Sequence, residues 1–315
     1  MSPIRDHKRD FRRASDFSTA ELNKIFSMAS EMKAALKQGK LSSVLAGKSV
    51  ALVFEKPSLR TRATFDLGTV QLGGHPVYFA PSEIGLGTRE TVPDVAHNLE
   101  RWFDMIVART FLQSSVEALA DNARIPVLNA LSDDEHPCQA MADYLTLIEK
   151  FGDLKGRSLT YLGDGNNICH SLIVIGSKLG MHISVASPEG YAPREAVVGS
   201  VQEDFESSGG SYTFTHDAAE AVAKADAIYT DVWASMGQED EAESRKPLFA
   251  PYQINAALVA KAPEGALIMH DLPAHRGEEI TDEVLDGLNS VVFDQAENRL
   301  HAQKGVMAFL HAESA

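Results

Sequence analysis

Cysteine is scarce in this chain, with only Cys138 and Cys169 among 315 residues. Their separation builds neither a metal knuckle nor a disulfide framework, so reduced thiols in a cytoplasmic protein are expected. No apolar core follows Met1-Ser2-Pro3-Ile4-Arg5-Asp6-His7-Lys8, which argues against a secretory leader. No uninterrupted apolar run approaches the length of a membrane span. Basic charge is short as well: 29 Lys and Arg face 44 Asp and Glu, for a net charge of −15. Nucleic acid and anionic membranes both reward a basic face, so neither is expected as the main partner. A small anionic substrate stays open, because a few local arginines can focus one against an unfavourable total. Low-complexity segments, short-period repeats and sets of His, Cys and carboxylates at metal-ligand spacing are also lacking, and no metal is expected.

What the chain does hold describes a soluble globular protein, 44% hydrophobic and 23% charged. Its length suits two domains of ordinary size. Ser18-Thr19-Ala20-Glu21 is a capping box that opens a helix to about Gln38. The apolar, β-branched run 49–54 reads as a buried strand, and 63–72, closed by Gly73-Gly74, as a helix. Strands at 76–79, 105–108 and 125–129 alternate with helices at 91–103 and 114–123, and 81–88 reads as a loop. A long amphipathic helix spans 136–151. The alternation then restarts, with strands at 158–162, 182–186, 212–215, 227–230, 266–270 and 290–293. Helices at 167–179, 193–206 and 218–224 lie between them, and a last helix runs over 297–310. Such alternation predicts an α/β fold of two similar domains, each a parallel sheet flanked by helices. The domains are expected at 1–150 and 151–295, with a C-terminal helix at 296–315 and the boundary marked by Gly152 and Gly156.

Ligands in such sheets belong at the carboxyl ends of the strands. The first strand ends in Lys56-Pro57-Ser58-Leu59-Arg60-Thr61-Arg62, with Ser58 at the N-cap of the next helix. First-turn N–H groups, the helix dipole and two hydroxyls beside two guanidiniums make a cradle for phosphate. An ordinary capped helix with a solvated basic face is the alternative. Other strand ends in this half present Arg109-Thr110 and lead to His136-Pro137-Cys138-Gln139. The second half presents Asp164-Gly165-Asn166-Asn167, Asp231-Val232-Trp233-Ala234-Ser235-Met236-Gly237 and His270-Asp271-Leu272-Pro273-Ala274-His275-Arg276. Cationic, hydroxyl and imidazole groups dominate the first set, and amides and carboxylates the second. The first suits a phosphate and a polarised carbonyl, the second an amine or amino acid.

Taken in order, these stretches resemble the aspartate/ornithine carbamoyltransferase family over nearly the whole chain. Ser58 to Arg62, Arg109-Thr110 and His136 to Gln139 are similar to its carbamoyl-phosphate half. Asp231 to Gly237 resembles the ornithine-binding loop of its ornithine-specific members, and Gly163-Asp164-Gly165-Asn166-Asn167 their asparagine-bearing turn. The resemblance implies that 1–150 binds carbamoyl phosphate, that 151–295 binds ornithine and that 296–315 packs back on the first domain, with the active site in the cleft between domains. It places Ser58, Arg60, Thr61 and the backbone N–H of Leu59 on the phosphate; the family often has Thr where Leu59 stands. It places Arg109, His136 and Thr61 on the carbamoyl oxygen, Gln139 on the carbamoyl amino group, and Arg299 on carbamoyl phosphate. Arg62 either touches ligand or makes a structural ion pair. For the second substrate it implies Asn167 and Asp231 at the α-amino and α-carboxylate groups, with Ser235, Met236 and Leu272 adding contacts. Asp271 departs from the pattern, because ornithine-specific members usually carry Cys between the His and the Leu-Pro. A carboxylate there can accept from the attacking amine, but it also raises that amine's pKa. His275 and Arg276 receive no role.

The implied activity is transfer of a carbamoyl group from carbamoyl phosphate to the side-chain amine of L-ornithine, giving citrulline and phosphate in arginine metabolism, with biosynthesis preferred. Positioning two reactants and stabilising the oxyanion can carry this reaction without metal or cofactor. Neither cysteine is needed as a nucleophile. Aspartate is disfavoured as acceptor by Asp231 and Asp271; putrescine or an N-acylated ornithine is the alternative. A nucleotide-dependent oxidoreductase is the rival from another class, but Ile168 stands where its third fingerprint glycine belongs. A non-catalytic amino-acid-binding protein leaves His136 and Arg109 without work. Family members are trimers or multiples of trimers, in which a neighbour's loop completes the phosphate site. The corresponding loop here is 81–90, with Thr88 or Arg89 reaching across.

Overall fold

A computed structural model of the chain describes residues 8–234 and 239–314. One compact unit holds the chain up to Leu145 together with Glu297 onward, and the other is Thr146–Ala296. Both divisions fall inside helices, Pro137–Phe151 and Val292–Glu313. Among the described residues no helix is long and apolar enough to cross a membrane.

The first unit is built on β1 (Ser49–Phe54), β2 (His75–Phe79), β3 (Met105–Arg109) and β4 (Val127–Leu131), all parallel in the order β2-β1-β3-β4. β3 is buried throughout and β1 after its first residue, as central parallel strands with both faces covered must be. Val95 and Leu99 of one helix and Val116 and Leu119 of the next share a core with Ala51, Val53 and Ile106 of the sheet. The chain leaves β1 toward β2 and returns to β3 on its other side. That reversal makes the β1–β3 junction the switch point where such sheets take ligands. Between β3 and β4 the register shifts, so that Arg109 pairs with Leu131 and Ala130 is left over. An extra residue of this kind bends a strand end and re-aims its side chains.

The second unit holds β5 (Ser158–Leu162), β6 (His182–Ala186), β7 (Ser211–Thr215), β8 (Ala227–Thr230) and β9 (Leu267–His270), parallel in the order β7-β6-β5-β8-β9. Its switch point lies between β5 and β8. Leu162, Ile228 and Ile268 anchor its core against Val222, Ile254, Leu258 and Leu285.

Several local expectations change. Within 81–88 the segment Pro81–Ile84 forms a helical turn, since Pro81 presets φ and Glu83 accepts the Ala80 N–H at 2.7 Å. The expected helix at 193–206 is two, Glu195–Ser200 and Gln202–Ser208. The strand expected at 290–293 is absent: Ser290 makes a single bridge to Ile268, and Val292 already begins the last helix. Its apolar residues Val291 and Val292 are buried, but Phe293 turns outward, 68% exposed, as the helical period dictates. The polar insertion after β8 carries a helix at Ala242–Phe249 that hydrophobic patterning missed.

Candidate active site

In the first unit Ser58 caps the helix Leu59–Gln71, its Oγ accepting the Thr61 N–H at 3.2 Å. Thr61 is buried, and two guanidiniums meet at its hydroxyl. Arg109 Nη1 donates to Oγ1 at 3.2 Å, and Arg299 Nη2 at 3.0 Å. Arg299 also donates through Nη1 to Gln139 Oε1, while Gln139 Nε2 donates to Asp143 Oδ1 at 2.8 Å. The end of β3 and the last helix therefore meet at one hydroxyl of the helix turn after β1, and Arg299 links that hydroxyl to Gln139 on the helix after β4.

His136 is buried beside them. Burial, then the charges of Arg299, Arg109, Arg60 and Lys56, hold its pKa well below the usual imidazole value. It is neutral and keeps one N–H donor. Lys56, Arg109 and Arg299 are each at most 8% exposed, so this acidic chain has gathered buried cations at one switch point. Like charges so placed favour an incoming anion. Leu59 points its side chain to solvent, leaving only backbone to contribute. The Arg62 guanidinium lies 3.7 Å from the centroid of the Tyr78 ring, a cation–π contact that sequence reasoning did not foresee. Thr88 Oγ1 donates to Gly85 O at 3.0 Å and Arg89 Nη1 to Glu83 O at 3.1 Å, both within their own loop.

Cys138 donates to Asn129 O at 3.1 Å, and burial pushes its thiol up to about 12. Such a thiol is not a nucleophile at neutral pH. Cys138→Ala should keep kcat within about threefold, and the native protein should resist alkylation at Cys138 by mass spectrometry.

In the second unit the turn after β5 needs glycine. Gly165 donates its N–H to Tyr191 O at 2.8 Å, and a Cβ there would stand 2.3 Å from Pro193 N. Gly165→Ala should cost about 3 kcal/mol by overpacking, seen as a lower unfolding temperature. Asn166 caps the helix Asn167–Lys178: its Oδ1 accepts the Cys169 N–H at 3.2 Å and the Tyr161 hydroxyl at 3.1 Å. That leaves Nδ2 to donate to Asp231 Oδ2 at 2.7 Å. The amide bonded to Asp231 is thus Asn166's, one residue before Asn167, which opens the helix half-buried. Asp231 Oδ1 accepts the Val232 N–H at 2.7 Å. Burial, then the Asp271 carboxyl, raise the Asp231 pKa well above the carboxylate range.

His270 is buried at the end of β9. Its Nε2 donates to Glu279 Oε1 at 2.9 Å, and its Nδ1 accepts the Leu272 N–H at 2.9 Å. Burial lowers the imidazole pKa, yet the Asp271 and Glu279 carboxylates outweigh it and lift the value to about 9. When the ring is neutral, the Leu272 N–H at Nδ1 selects the tautomer with hydrogen on Nε2. Leu272 itself stands in the left-handed region, at φ 59°. Glu279 also accepts the His275 N–H at 2.6 Å, and Arg276 pairs with Asp282 and Asp286, so both residues tie down the loop. Ser235 and Met236 lie outside the described residues.

Asp231, His270 and Asp271 each offer a ligand atom within 4.8 Å of the others, as do His275, Glu278 and Glu279. Sequence spacing indicated neither set. In the first, both Asp231 oxygens and both His270 nitrogens are already engaged. That set works as a hydrogen-bond network and not as an open cage. Sequence reasoning left Lys56, Asn166 and Glu279 unassigned. The first two stood inside the quoted turns, whereas Glu279 carried no local signal.

Comparison with known proteins bears on both units. Residues 9–149 match the carbamoyl-P binding domain, and residues 155–310 the Asp/Orn binding domain, of the aspartate/ornithine carbamoyltransferase family. The ornithine carbamoyltransferase of Thermococcus kodakarensis is 51% identical over 302 residues, covering 96% of each chain. A Pyrococcus furiosus relative named as the anabolic ornithine carbamoyltransferase is 49% identical, over 96% of each chain. The solved ornithine carbamoyltransferase of Pyrococcus furiosus superposes with a TM-score of 0.93 at 49% identity, and that of Thermus thermophilus with 0.86 at 42%. These cover 96% of this chain and 96% and 99% of the solved chains, respectively.

Proposed function

This chain belongs to the aspartate/ornithine carbamoyltransferase family, and on that premise we propose that it transfers the carbamoyl group of carbamoyl phosphate to the side-chain amine of L-ornithine. The products are L-citrulline and phosphate. The anabolic name of the Pyrococcus furiosus relative supports the biosynthetic direction. Residues 1–150 serve the donor, 151–295 the acceptor, and the helix at 296–315 returns to the donor unit with Arg299. A homotrimer, or a multiple of one, in the cytoplasm completes the reading.

Ser58, Arg60, Thr61 and the Leu59 N–H hold the phosphate, as a capped helix start beside cations can. Arg109, Thr61 and the N–H of neutral His136 take the carbamoyl oxygen, where negative charge grows as the carbon becomes tetrahedral. Gln139 Oε1 receives the carbamoyl amino group, and Arg299 orients Gln139 and Thr61. The neutral amine attacks the carbonyl carbon, the bond to the phosphate oxygen breaks, and phosphate departs with that electron pair. The amine's surplus proton goes to phosphate or solvent. Asp231 and Asn167, with Asn166 bracing Asp231, hold the α-amino and α-carboxylate groups. Asp271 and Leu272 lie toward the reacting amine, and Ser235 and Met236 add contacts. The carrying observation is the Thr61 hydroxyl shared by Arg109 and Arg299 beside a neutral imidazole. Incubated with carbamoyl phosphate and ornithine, the protein should release citrulline and phosphate in equal amounts; phosphate without citrulline would sink the reading.

A further inference from the structure

Arg245 belongs to neither substrate set, yet it joins the pieces of the acceptor unit. It lies on the helix Ala242–Phe249 and is only 5% exposed. Its Nη1 donates to Asp164 Oδ2 at 2.7 Å and to Trp233 O at 2.8 Å. Its Nε and Nη2 donate to Glu241 Oε2 at 3.0 and 2.8 Å, and its guanidinium sits 5.0 Å from the Tyr191 ring centroid. Asp164 lies in the turn after β5, and Trp233 in the turn after β8. These are the two strand ends that flank the switch point. Their side chains Asn166 and Asp231 meet at 2.7 Å. Tyr191 anchors the same turn from the other side, accepting the Gly165 N–H at 2.8 Å.

We propose that Arg245 is a positioning residue for the amino-acid acceptor. By fixing Asp164 and the Trp233 carbonyl at once, it sets the Asn166–Asp231 separation on which acceptor recognition depends, without touching the acceptor. The inference rests on the ornithine reading above. A guanidinium suits the task because one planar fork serves several acceptors while stacking on a ring, which a lysine ammonium cannot do.

The full chain is compared as wild type, Arg245→Ala, Arg245→Lys and Asp164→Asn, with separate KM values for ornithine and carbamoyl phosphate. Arg245→Ala should raise the ornithine KM about tenfold or more, since small misplacements are costly, and leave the carbamoyl-phosphate KM within about twofold. Arg245→Lys should recover part of the loss, and Asp164→Asn should shift the ornithine KM the same way by a smaller factor. An unchanged ornithine KM in all three variants, or equal rises in both KM values, would overturn the proposal. If Arg245→Ala does not fold, Arg245→Lys and Asp164→Asn decide by the same criterion. Amide exchange at Gly163, Asp164, Val232 and Trp233 reads the tie independently of turnover. Faster exchange there in Arg245→Lys supports the tie even if wild type fails with ornithine, a failure that counts against the substrate reading. Unchanged exchange overturns the tie.

Discussion

Arg109→Ala lowers kcat for citrulline formation by about a hundredfold or more, the usual loss when one preorganised oxyanion donor is removed. The ornithine KM stays within about twofold if Arg109 serves the donor, as proposed. The size of the effect follows from its surroundings. Arg109 is buried at the end of β3 and donates to Thr61 Oγ1 at 3.2 Å. In such a dry setting a fixed donor acts far more strongly than in water. Arg109→Lys restores only part of the rate, since an ammonium cannot reproduce the planar fork. Initial rates with both substrates saturating read kcat directly. A loss confined to the carbamoyl-phosphate KM would mean that Arg109 binds the donor without stabilising the oxyanion.

On the acceptor side, Asp231→Ala raises the ornithine KM about a hundredfold, the loss of about 3 kcal/mol expected when a buried hydrogen-bond partner is removed and its counterpart left unsatisfied. Asp271→Asn acts differently. An anionic Asp271 raises the pKa of a nearby amine, so its removal should shift the ascending limb of the pH–rate profile to lower pH by about one unit. The same substitution affects stability. Asp231 has a native pKa raised by burial and by Asp271. A raised pKa contributes stability that is full below the unfolded value and is lost as pH rises through the native one. Asp271→Asn removes the like-charge partner, so unfolding temperature should fall less steeply with rising pH than in wild type. Parallel melting curves in the two proteins would show that Asp271 does not set the Asp231 proton.

The turns were legible because their signals are local. A capping Ser58 after an apolar run, a Gly-Asp-Gly-Asn turn and strict βα alternation each depend on a few adjacent residues. Strand order is not local, and much of the site depends on it. Asn166, Asp231 and His270 come together only because β5, β8 and β9 are neighbours in the sheet, which alternation alone leaves undecided. The same holds for Glu279 behind His270 and for Arg245 behind Asp164. Arg62 could be placed only once Tyr78 of the adjacent strand was seen beneath it. The strand expected at 290–293 failed because Val291-Val292-Phe293 reads alike as a short strand or a helix start.

The chemistry and the acceptor are tested most directly by one competition. The protein is supplied with carbamoyl phosphate and an equimolar mixture of L-ornithine, putrescine, N-acetylornithine and L-aspartate, and the carbamoylated products are quantified by mass. Citrulline should dominate if, as proposed, Asp231 and the asparagine-bearing turn bonded to it read a free α-amino acid. A mixture dominated by carbamoylputrescine, N-acetylcitrulline or carbamoyl-aspartate would contradict the account.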